Sequence, residues 1–289
     1  MLRYFAAIGM SRLTNTKDFS LWVDRLLKKK AEKPEPFEWP GGSHMQVEYV
    51  HRMGPFRVIL KGHPEEDGSV QIYSALPGVR PGTMTRVRNW EMGIDNTHLA
   101  IFGEDEMSGG PMAIRVERTG HYMNLPFPPA GEKAKLYYSG LSIEGKVILG
   151  LERTEEDDRM YAEEDQWHQE MLERIRNGDE EAMKEVEEDI EQQELEIQNR
   201  LQREDLFSVI EGFFSPIEDI INGVYHLLGT ILDVEKAFNP ETEEWVWHLQ
   251  LDVMSSPLDL YIHPDDLVGM PMKGFRFFGK TILIGHIEL

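Results

Sequence analysis

The sequence predicts an α+β protein in three parts. A mixed N-terminal domain with an antiparallel sheet is expected at residues 1–151, an acidic helical connector at 152–222, and a small antiparallel β-barrel-like (OB-like) unit at 223–289. Three observations predict this architecture. Strand-like alternation of apolar and polar residues dominates both ends of the chain, helical spacing dominates the middle, and the middle also holds most of the excess negative charge.

The charge distribution marks the boundaries between these parts. The 289 residues carry a formal net charge of −22, and residues 151–205 hold seven basic and 22 acidic side chains, a net of −15. Residues 1–150 are net +2 and residues 206–289 are net −9. A chain with this much negative charge is poorly suited to bind phosphate backbones or anionic membrane surfaces. We therefore expect neither a nucleic acid nor a membrane as its partner.

Composition also bounds the chemistry and the location. The absence of cysteine excludes disulfides, thiolate zinc sites, iron–sulfur ligation and cysteine nucleophiles. No segment approaches the roughly 18–20 consecutive apolar residues of a membrane-spanning helix. The mildly apolar start, Met1–Met10, lacks the small-residue cleavage pattern of a signal peptide. We therefore expect a cytoplasmic protein.

The N-terminal domain begins with an amphipathic helix predicted at Thr16–Ala31. Thr16 or Asp18 can cap it, because a side-chain oxygen there satisfies free backbone amides. The apolar stripe consists of Phe19, Trp22, Val23, Leu26 and Leu27. Lys28–Lys30 lie in the last turn, where cations suit the helix dipole, and this explanation is favoured over nucleic-acid contact. Lys33–Gly42 is predicted to be a loop because it holds three prolines and two glycines.

Residues 45–150 are predicted to be mainly strands. Phe56–Leu60 and Val70–Ala75 flank a polar turn that ends in Asp-Gly, which predicts a hairpin. Leu99–Phe102 and Met112–Val116 flank an acidic, glycine-rich connection and predict a second hairpin.

Prolines and glycines interrupt this strand-rich region. Pro77-Gly78 and Pro81-Gly82 are expected to break the chain. Leu125–Pro129 holds three prolines and is expected to be irregular.

Leu136–Tyr138 and Lys146–Leu151 are predicted as two further strands.

Residues 155–222 are predicted to be helical. Asn177-Gly178 is predicted to end the first helix and Asp179 to cap the second. The narrow apolar seam of the second helix consists of Met183, Val186, Ile190 and Ile197. Leu206–Ile221 is richer in apolar residues and is expected to pack beneath the acidic helices, with Pro216 ending or kinking it.

The C-terminal unit is predicted to be a small Greek-key barrel. Tyr225–Phe238 is a predicted long strand, and Leu258–Ile262 and Phe275–Ile287 supply others around a short helical turn at Pro264–Leu267. Residues 245–253 alternate strictly. The side chains expected in the core are Trp245, Trp247, Leu249, Leu251 and Val253. This order of elements is typical of an OB-type barrel.

Motifs for common chemistries are absent, so the sequence predicts no catalytic residue, no cofactor and no metal ligand. Neither glycine-rich phosphate loops nor H-E-x-x-H and G-x-S-x-G occur. Glu164, Asp165 and His168 share a helical spacing, but a di-metal bundle needs Glu-x-x-His on two helices, so an exposed acidic face is favoured. Glu104–Glu106 lack the spacing of an EF-hand, so a plain acidic turn is favoured over a calcium site.

The candidate binding residues are His248, Tyr261 and His263. They lie on the polar-facing register of two adjacent predicted strands in the OB-like unit. On an OB fold this face often binds single-stranded nucleic acid by stacking and by cation contacts. Residues 223–289 hold only four lysines and arginines, however, so an exposed sheet face or a contact to the helical layer is favoured.

Several segments resemble one bacterial family. They are Ala6–Ser11, Gly140–Leu149, Arg176–Ala182, Arg203–Val209, Leu228–Glu235 and Leu267–Pro271. Together they make the chain similar, over nearly its full length, to uncharacterised proteins known mainly from clostridial-type Firmicutes and classified as a domain of unknown function. The resemblance implies a bacterial cytoplasmic protein, and it implies no activity, cofactor or catalytic residue.

The function that these observations favour is non-enzymatic protein binding or scaffolding. The acidic helical segment can present a negative face to a basic protein partner. Two alternatives stay open, namely single-stranded nucleic-acid binding through the OB-like unit and an enzyme whose site assembles from dispersed His, Asp and Glu residues.

Overall fold

A computed structural model of the chain describes residues 2–13, 15–28, 34–38, 45–95, 98–123, 130–151, 155–217 and 222–288. The helices are the 3-10 helices Leu2–Ile8 and Ser11–Leu13, α1 Thr16–Lys28, α2 Thr119–Met123, α3 Glu155–Arg176, α4 Glu180–Leu201, α5 Leu206–Val209 and a 3-10 turn at Pro264–Asp266. The strands are β1 Glu35–Glu38, β2 Met45–Met53, β3 Phe56–Pro64, β4 Val70–Val79, β5 Thr83–Asp95, β6 His98–Asp105, β7 Pro111–Val116, β8 Ala130–Ile148, β9 Phe213–Pro216, β10 Val224–Asn239, β11 Glu244–Val253, β12 Ser256–Ile262, β13 Leu267–Val268 and β14 Arg276–Glu288.

The N-terminal helix is confirmed as α1, and its buried stripe is Phe19, Val23 and Leu26. Lys29 and Lys30 of the predicted lysine turn lie outside the described residues, as does the whole of the predicted irregular segment 125–129. Within the predicted loop at 33–42, residues 35–38 instead form β1, because they pair antiparallel with β2.

Strands β1 to β4 form an antiparallel sheet in sequence order. The predicted β3–β4 hairpin is confirmed, with Pro64 opposite Val70. The predicted break at Pro77-Gly78 is wrong, since both residues lie within β4. Strand β4 is an edge of this sheet, and an edge strand tolerates proline because the missing N–H is not needed for pairing.

The larger sheet contains ten strands of the described chain, and β8 and β14 are its longest-paired members. Strand β8, predicted as two separate strands, is continuous over 19 residues. Its first half pairs with β5 and its second half with β12. Strand β14 likewise pairs with β10 and then with β7. Pairings of β10 with β11 and of β8 with β14 make the sheet fold back on itself.

The OB-like C-terminal unit is not confirmed. Strand β12 pairs with β8, and β14 pairs with both β8 and β7, so strands from residues 83–148 and 213–288 share one sheet. The helical and strand content does confirm a mixed α+β protein. How the chain divides into independently folding domains stays a prediction.

The expectation of a helix over Leu206–Ile221 is wrong for most of its described part. Helix α5 covers only Leu206–Val209, and residues 213–216 form β9 at the edge of the large sheet, paired with β10. Aromatic residues favour strands, and Phe214 stacks on Tyr225 of β10 with ring centroids 4.0 Å apart. Pairing with the sheet therefore outweighs the apolar helical pattern of this segment.

Two apolar cores lie on opposite faces of the large sheet. One fills the space inside the folded-back sheet and includes Leu249 and Leu251. The other lies between that sheet, the N-terminal helices and β2 to β4, and it includes Val246 and Tyr261. The predicted core position of Trp245 is therefore wrong. Val246 is buried because the second core covers the face that was expected to be polar, and Trp245 is exposed.

A buried asparagine joins the N-terminal 3-10 helix to the β10–β11 turn. The Asn239 Nδ2 donates to the Ile8 carbonyl at 2.7 Å, and its Oδ1 accepts from the Glu241 amide at 3.0 Å. Gly9 has φ +72°, which side chains with a Cβ rarely adopt, and a Cβ at this position would lie only 2.9 Å from the Asn239 Cβ. The close contact between these two residues therefore requires glycine at position 9.

Replacing Asn239 with alanine is expected to lower the free energy of unfolding by about 1–3 kcal/mol, because buried partners lose their hydrogen bonds. Urea denaturation measures the change, with the exposed Gln250→Ala as control. A loss no larger than that of the control would contradict the anchoring role of Asn239.

Candidate functional site

Two of the predicted binding residues come together in the structure. His248 on β11 lies opposite Tyr261 on β12, and their rings stack with centroids 4.5 Å apart and planes 2° apart. Tyr261 is buried and also contacts the Phe56 ring edge-on at 5.9 Å. The Tyr261 ring is therefore sandwiched between protein side chains instead of being presented to solvent.

Carboxylates surround this stack. The His248 Nε2 lies 2.7 Å from the Asp259 Oδ1, and its Nδ1 lies 3.5 Å from the Glu235 Oε2. Burial raises the pKa of Asp259, but hydrogen bonds from His248 and Thr83 outweigh burial and hold that pKa below its ordinary value. Burial, with help from Asp259 and Glu235, raises the pKa of Tyr261. The negative charge around His248 is unfavourable for a phosphate backbone.

The third predicted residue, His263, lies apart from this stack. Its Nδ1 accepts the Asp265 amide at 3.2 Å and so caps the 3-10 turn Pro264–Asp266. Its Nε2 lies 3.8 Å from the Glu244 Oε2. His263 therefore has a local structural role and borders a different region, next to Glu244.

The acidic turn between β6 and β7 is satisfied by the protein's own donors. Asp105 accepts hydrogen bonds from the Thr85 hydroxyl at 2.6 Å and from the Ser108 amide at 2.8 Å. Glu104 pairs with Arg176 at 2.8 Å. Within the described ranges, no three His, Asp or Glu side chains are grouped closely enough to hold a metal ion. The side chain of Asp165, from the predicted Glu164, Asp165 and His168 set, lies outside the described residues.

Buried charges bridge the two sheets at the end of β7. Arg57 of β3 donates from Nε to Glu117 at 3.2 Å and makes a second, shorter hydrogen bond from Nη2. Lys61 of β3 donates to the Thr119 hydroxyl, and burial lowers the pKa of Lys61 to about 8 although Glu48 opposes this shift. Sequence reasoning missed this network, because no motif marks it and its members are far apart in the chain.

Helices α3 and α4 form an acidic hairpin through a turn that the sequence predicted. Gly178 has φ +85°, which residues with a Cβ rarely adopt, and the Asp179 side chain accepts the amides of Glu181 and Ala182. The hairpin is attached to the β6–β7 turn. Gln169 donates to the Met107 carbonyl, and a Cβ at Gly109 would lie 2.6 Å from Leu172.

One flank of α4, next to the side that packs on α3, carries an apolar stripe that is only half covered. Met183 is 48% exposed and Ile190 is 49% exposed. At about 100° per residue, the positions of Met183, Ile190, Ile197 and Leu201 fall within about 40° of one another, over a length of about 27 Å. Exposed glutamates lie beside the stripe at positions 187, 191 and 194. This surface, Met183–Leu201 with its flanking glutamates, is hereafter the α4 stripe.

The two sheets and the attached acidic hairpin define a mixed α+β protein. The chain belongs to DUF3881, a domain of unknown function described from an E. rectale gene, whose family model matches residues 5–285. This match confirms the nearly full-length resemblance to a bacterial family of unknown function. No curated protein and no solved structure matches the chain. None of the helices in the described part of the chain is long and apolar enough to span a membrane.

Proposed function

We propose that this protein is a docking module that binds a basic protein partner through the α3–α4 hairpin. The observation that carries the proposal is the α4 stripe, a half-exposed apolar line beside a row of glutamates on the most acidic segment of the chain. A partner of complementary chemistry is an amphipathic helix with an apolar face flanked by lysine or arginine. Apolar contact would supply affinity, and the charges would supply steering and orientation.

The hairpin is suited to this role because the packing of α3 against α4 leaves much of the α4 stripe uncovered. Residue 182 is buried, whereas most other described positions of α4 are exposed or half-exposed. The anchoring contacts come from α3, through Gln169, Leu172 and Arg176. A third helix against the α4 stripe would bury apolar surface without displacing any of these contacts.

The alternative of single-stranded nucleic-acid binding at His248 and Tyr261 has less support. The Tyr261 ring is buried, and Asp259 and Glu235 flank the imidazole. An enzyme assembled from dispersed residues also stays an untested prediction. The buried groups Arg57 and Glu117 satisfy each other, which favours a structural role for that network.

A designed peptide tests the docking proposal. The probe is a labelled helical peptide with leucine at heptad spacing and lysine elsewhere, and its scrambled isomer of equal charge is the control. We expect anisotropy titration to show at least about tenfold tighter binding of the amphipathic peptide, a difference of about 1.4 kcal/mol. Binding should weaken as salt rises, because surface charge pairs are screened.

Variants locate the binding surface. Met183→Ser with Ile190→Ser should weaken binding at least about tenfold, whereas Val268→Ser, an exposed apolar residue on β13, should not. Glu187→Lys with Glu194→Lys should weaken it as well, compared with the equal charge change Glu65→Lys with Glu66→Lys in the exposed β3–β4 turn. Equal binding of the scrambled peptide, or unchanged binding by the hairpin variants, would contradict the proposal.

A further inference from the structure

A cleft of about 500 Å³ lies between the N-terminal helices, β2 and the β10–β11 turn. Its volume is within the usual range of small-molecule sites. Leu13, Trp22 and Leu26 give it an apolar wall, and Arg12, Arg25 and Glu244 bring charges of both signs to it. The cleft is not part of the α3–α4 hairpin, so it raises a question separate from docking.

The wall of the cleft is held in place by one carboxylate. The Trp22 Nε1 donates to the Glu241 Oε1 at 3.0 Å, and the His51 Nε2 contacts the Glu241 Oε2. The Trp22 and His51 rings meet edge-on, with centroids 5.7 Å apart. Because both oxygens of Glu241 are occupied, this residue orients the wall and is not the group that a ligand would contact.

Glu244 is different, because one of its oxygens lacks a hydrogen-bond donor. Its side chain is 9% exposed, and its Oε2 accepts the Ser11 amide at 2.9 Å. Its Oε1 is buried and accepts no hydrogen bond from the described residues. The Arg12 Nε lies 3.6 Å away, which is too long for a hydrogen bond. A buried carboxylate oxygen in this state is unfavourable until a donor reaches it.

The cations at the cleft are weakly engaged. The Arg12 side chain is 83% exposed. Among the described residues it forms an ion pair with Glu244, and the distance from the Arg12 Nε to the Glu244 Oε1 is 3.6 Å. Arg25 is exposed and makes no ion pair with a described residue. An anionic ligand group can therefore bind these guanidiniums without breaking a strong internal pair.

We propose that this cleft binds an α-amino acid with an apolar side chain. The ligand ammonium would donate to the Glu244 Oε1, the adjacent ligand carboxylate would accept from Arg12, and the side chain would pack on Trp22 and Leu26. A neighbouring Glu and Arg match the neighbouring ammonium and carboxylate that α-amino acids carry. An organic anion or a simple amine would satisfy only one of the two protein groups.

Three related compounds separate these classes. L-Phenylalanine carries both charged groups, 3-phenylpropionate lacks the ammonium, and 2-phenylethylamine lacks the carboxylate. In isothermal titration calorimetry of the full chain, we expect L-phenylalanine to bind at least about tenfold more tightly than either analogue. Absence of binding by L-phenylalanine at millimolar concentration would overturn the proposal. Equal binding by either analogue would identify an organic-anion or amine site and would overturn it too.

Substitutions test the assigned contacts. Glu244→Gln should weaken L-phenylalanine binding at least about tenfold, whereas Glu243→Gln, at the exposed neighbouring position, should leave it unchanged. Arg12→Met is the second variant, since its exposed side chain can be replaced without emptying a core position. A thermal melt of each variant verifies folding. Wild-type affinity in both Glu244→Gln and Arg12→Met would overturn the assignment.

Discussion

Replacing Glu117 with alanine is expected to lower the free energy of unfolding by about 3–5 kcal/mol, among the largest effects of any single substitution in this protein. The Glu117 side chain is 1% exposed and that of its partner Arg57 is 7% exposed. Without Glu117, the guanidinium would stay buried and lose its two hydrogen bonds to that carboxylate. Burial already lowers the pKa of Arg57 although Glu117 favours its charged form.

A double substitution separates the cost of an unpaired charge from the net value of the pair. Arg57→Met with Glu117→Leu removes both charges and should recover most of the stability, because buried ion pairs often contribute little compared with apolar residues of similar size. Chemical denaturation of the single and double variants measures this difference. Lys135→Ala, which breaks an exposed pair with Glu288, should cost at most about 1 kcal/mol. An equally small loss for Glu117→Ala would contradict the expected role of this bridge.

Acid is expected to destabilise the protein as the pH falls from about 6.5 to about 4, through His286. Burial, assisted by the charges of Arg80 and Arg57, lowers the pKa of His286 to about 4 from the ordinary value of 6.5. Between these values the unfolded chain binds a proton at this imidazole and the folded chain does not. Stability therefore decreases with falling pH, by up to about 3 kcal/mol from this residue at 1.36 kcal/mol per pH unit.

Phenylalanine at position 286 should remove this part of the acid sensitivity. The His286 ring stacks on Tyr137 with centroids 5.1 Å apart, and an aromatic replacement preserves that contact. Unfolding free energies at pH 7 and at about pH 4.5 give the comparison, with the exposed His226→Phe as control. His98, whose pKa burial lowers to about 3, should leave a residual acid dependence in the variant. An unchanged pH dependence in His286→Phe would contradict the assignment.

The turns that end helices and join hairpin strands were predictable from the sequence, because each depends on residues that are close together along the chain. Gly178 and Asp179 mark the turn between α3 and α4, because a left-handed residue and a capping carboxylate act within one helical turn. The turn ending in Gly68 marks the β3–β4 hairpin for the same reason. Strand alternation placed His248 and Tyr261 on one face of two adjacent strands, but it did not predict the stacking of their rings or the burial of Tyr261.

Features that depend on distant pairing were not predictable in this way. Residues 276–288 of β14 pair with residues 135–148 of β8, and no local signal in either strand identifies the other. The burial of Val246 was not predicted because a second layer of the fold covers the face of β11 that looked polar. Residues 213–216 form a strand because they pair with β10, and this pairing partner lies at a distance along the chain that no local pattern reports.

By itself, the sequence determined the concentration of negative charge and the two acidic helices with the turn between them, since composition and near-neighbour spacing suffice for both. Membership of the bacterial family followed instead from the resemblance of segments along nearly the whole chain. Only the tertiary structure decided which sheet faces are covered, which buried charges are paired, and that Trp22, His51 and Glu244 line one cleft. The physical reason is the range of the interactions. Helix caps and turns act over a few residues, whereas burial and charge pairing depend on which layers of the fold meet.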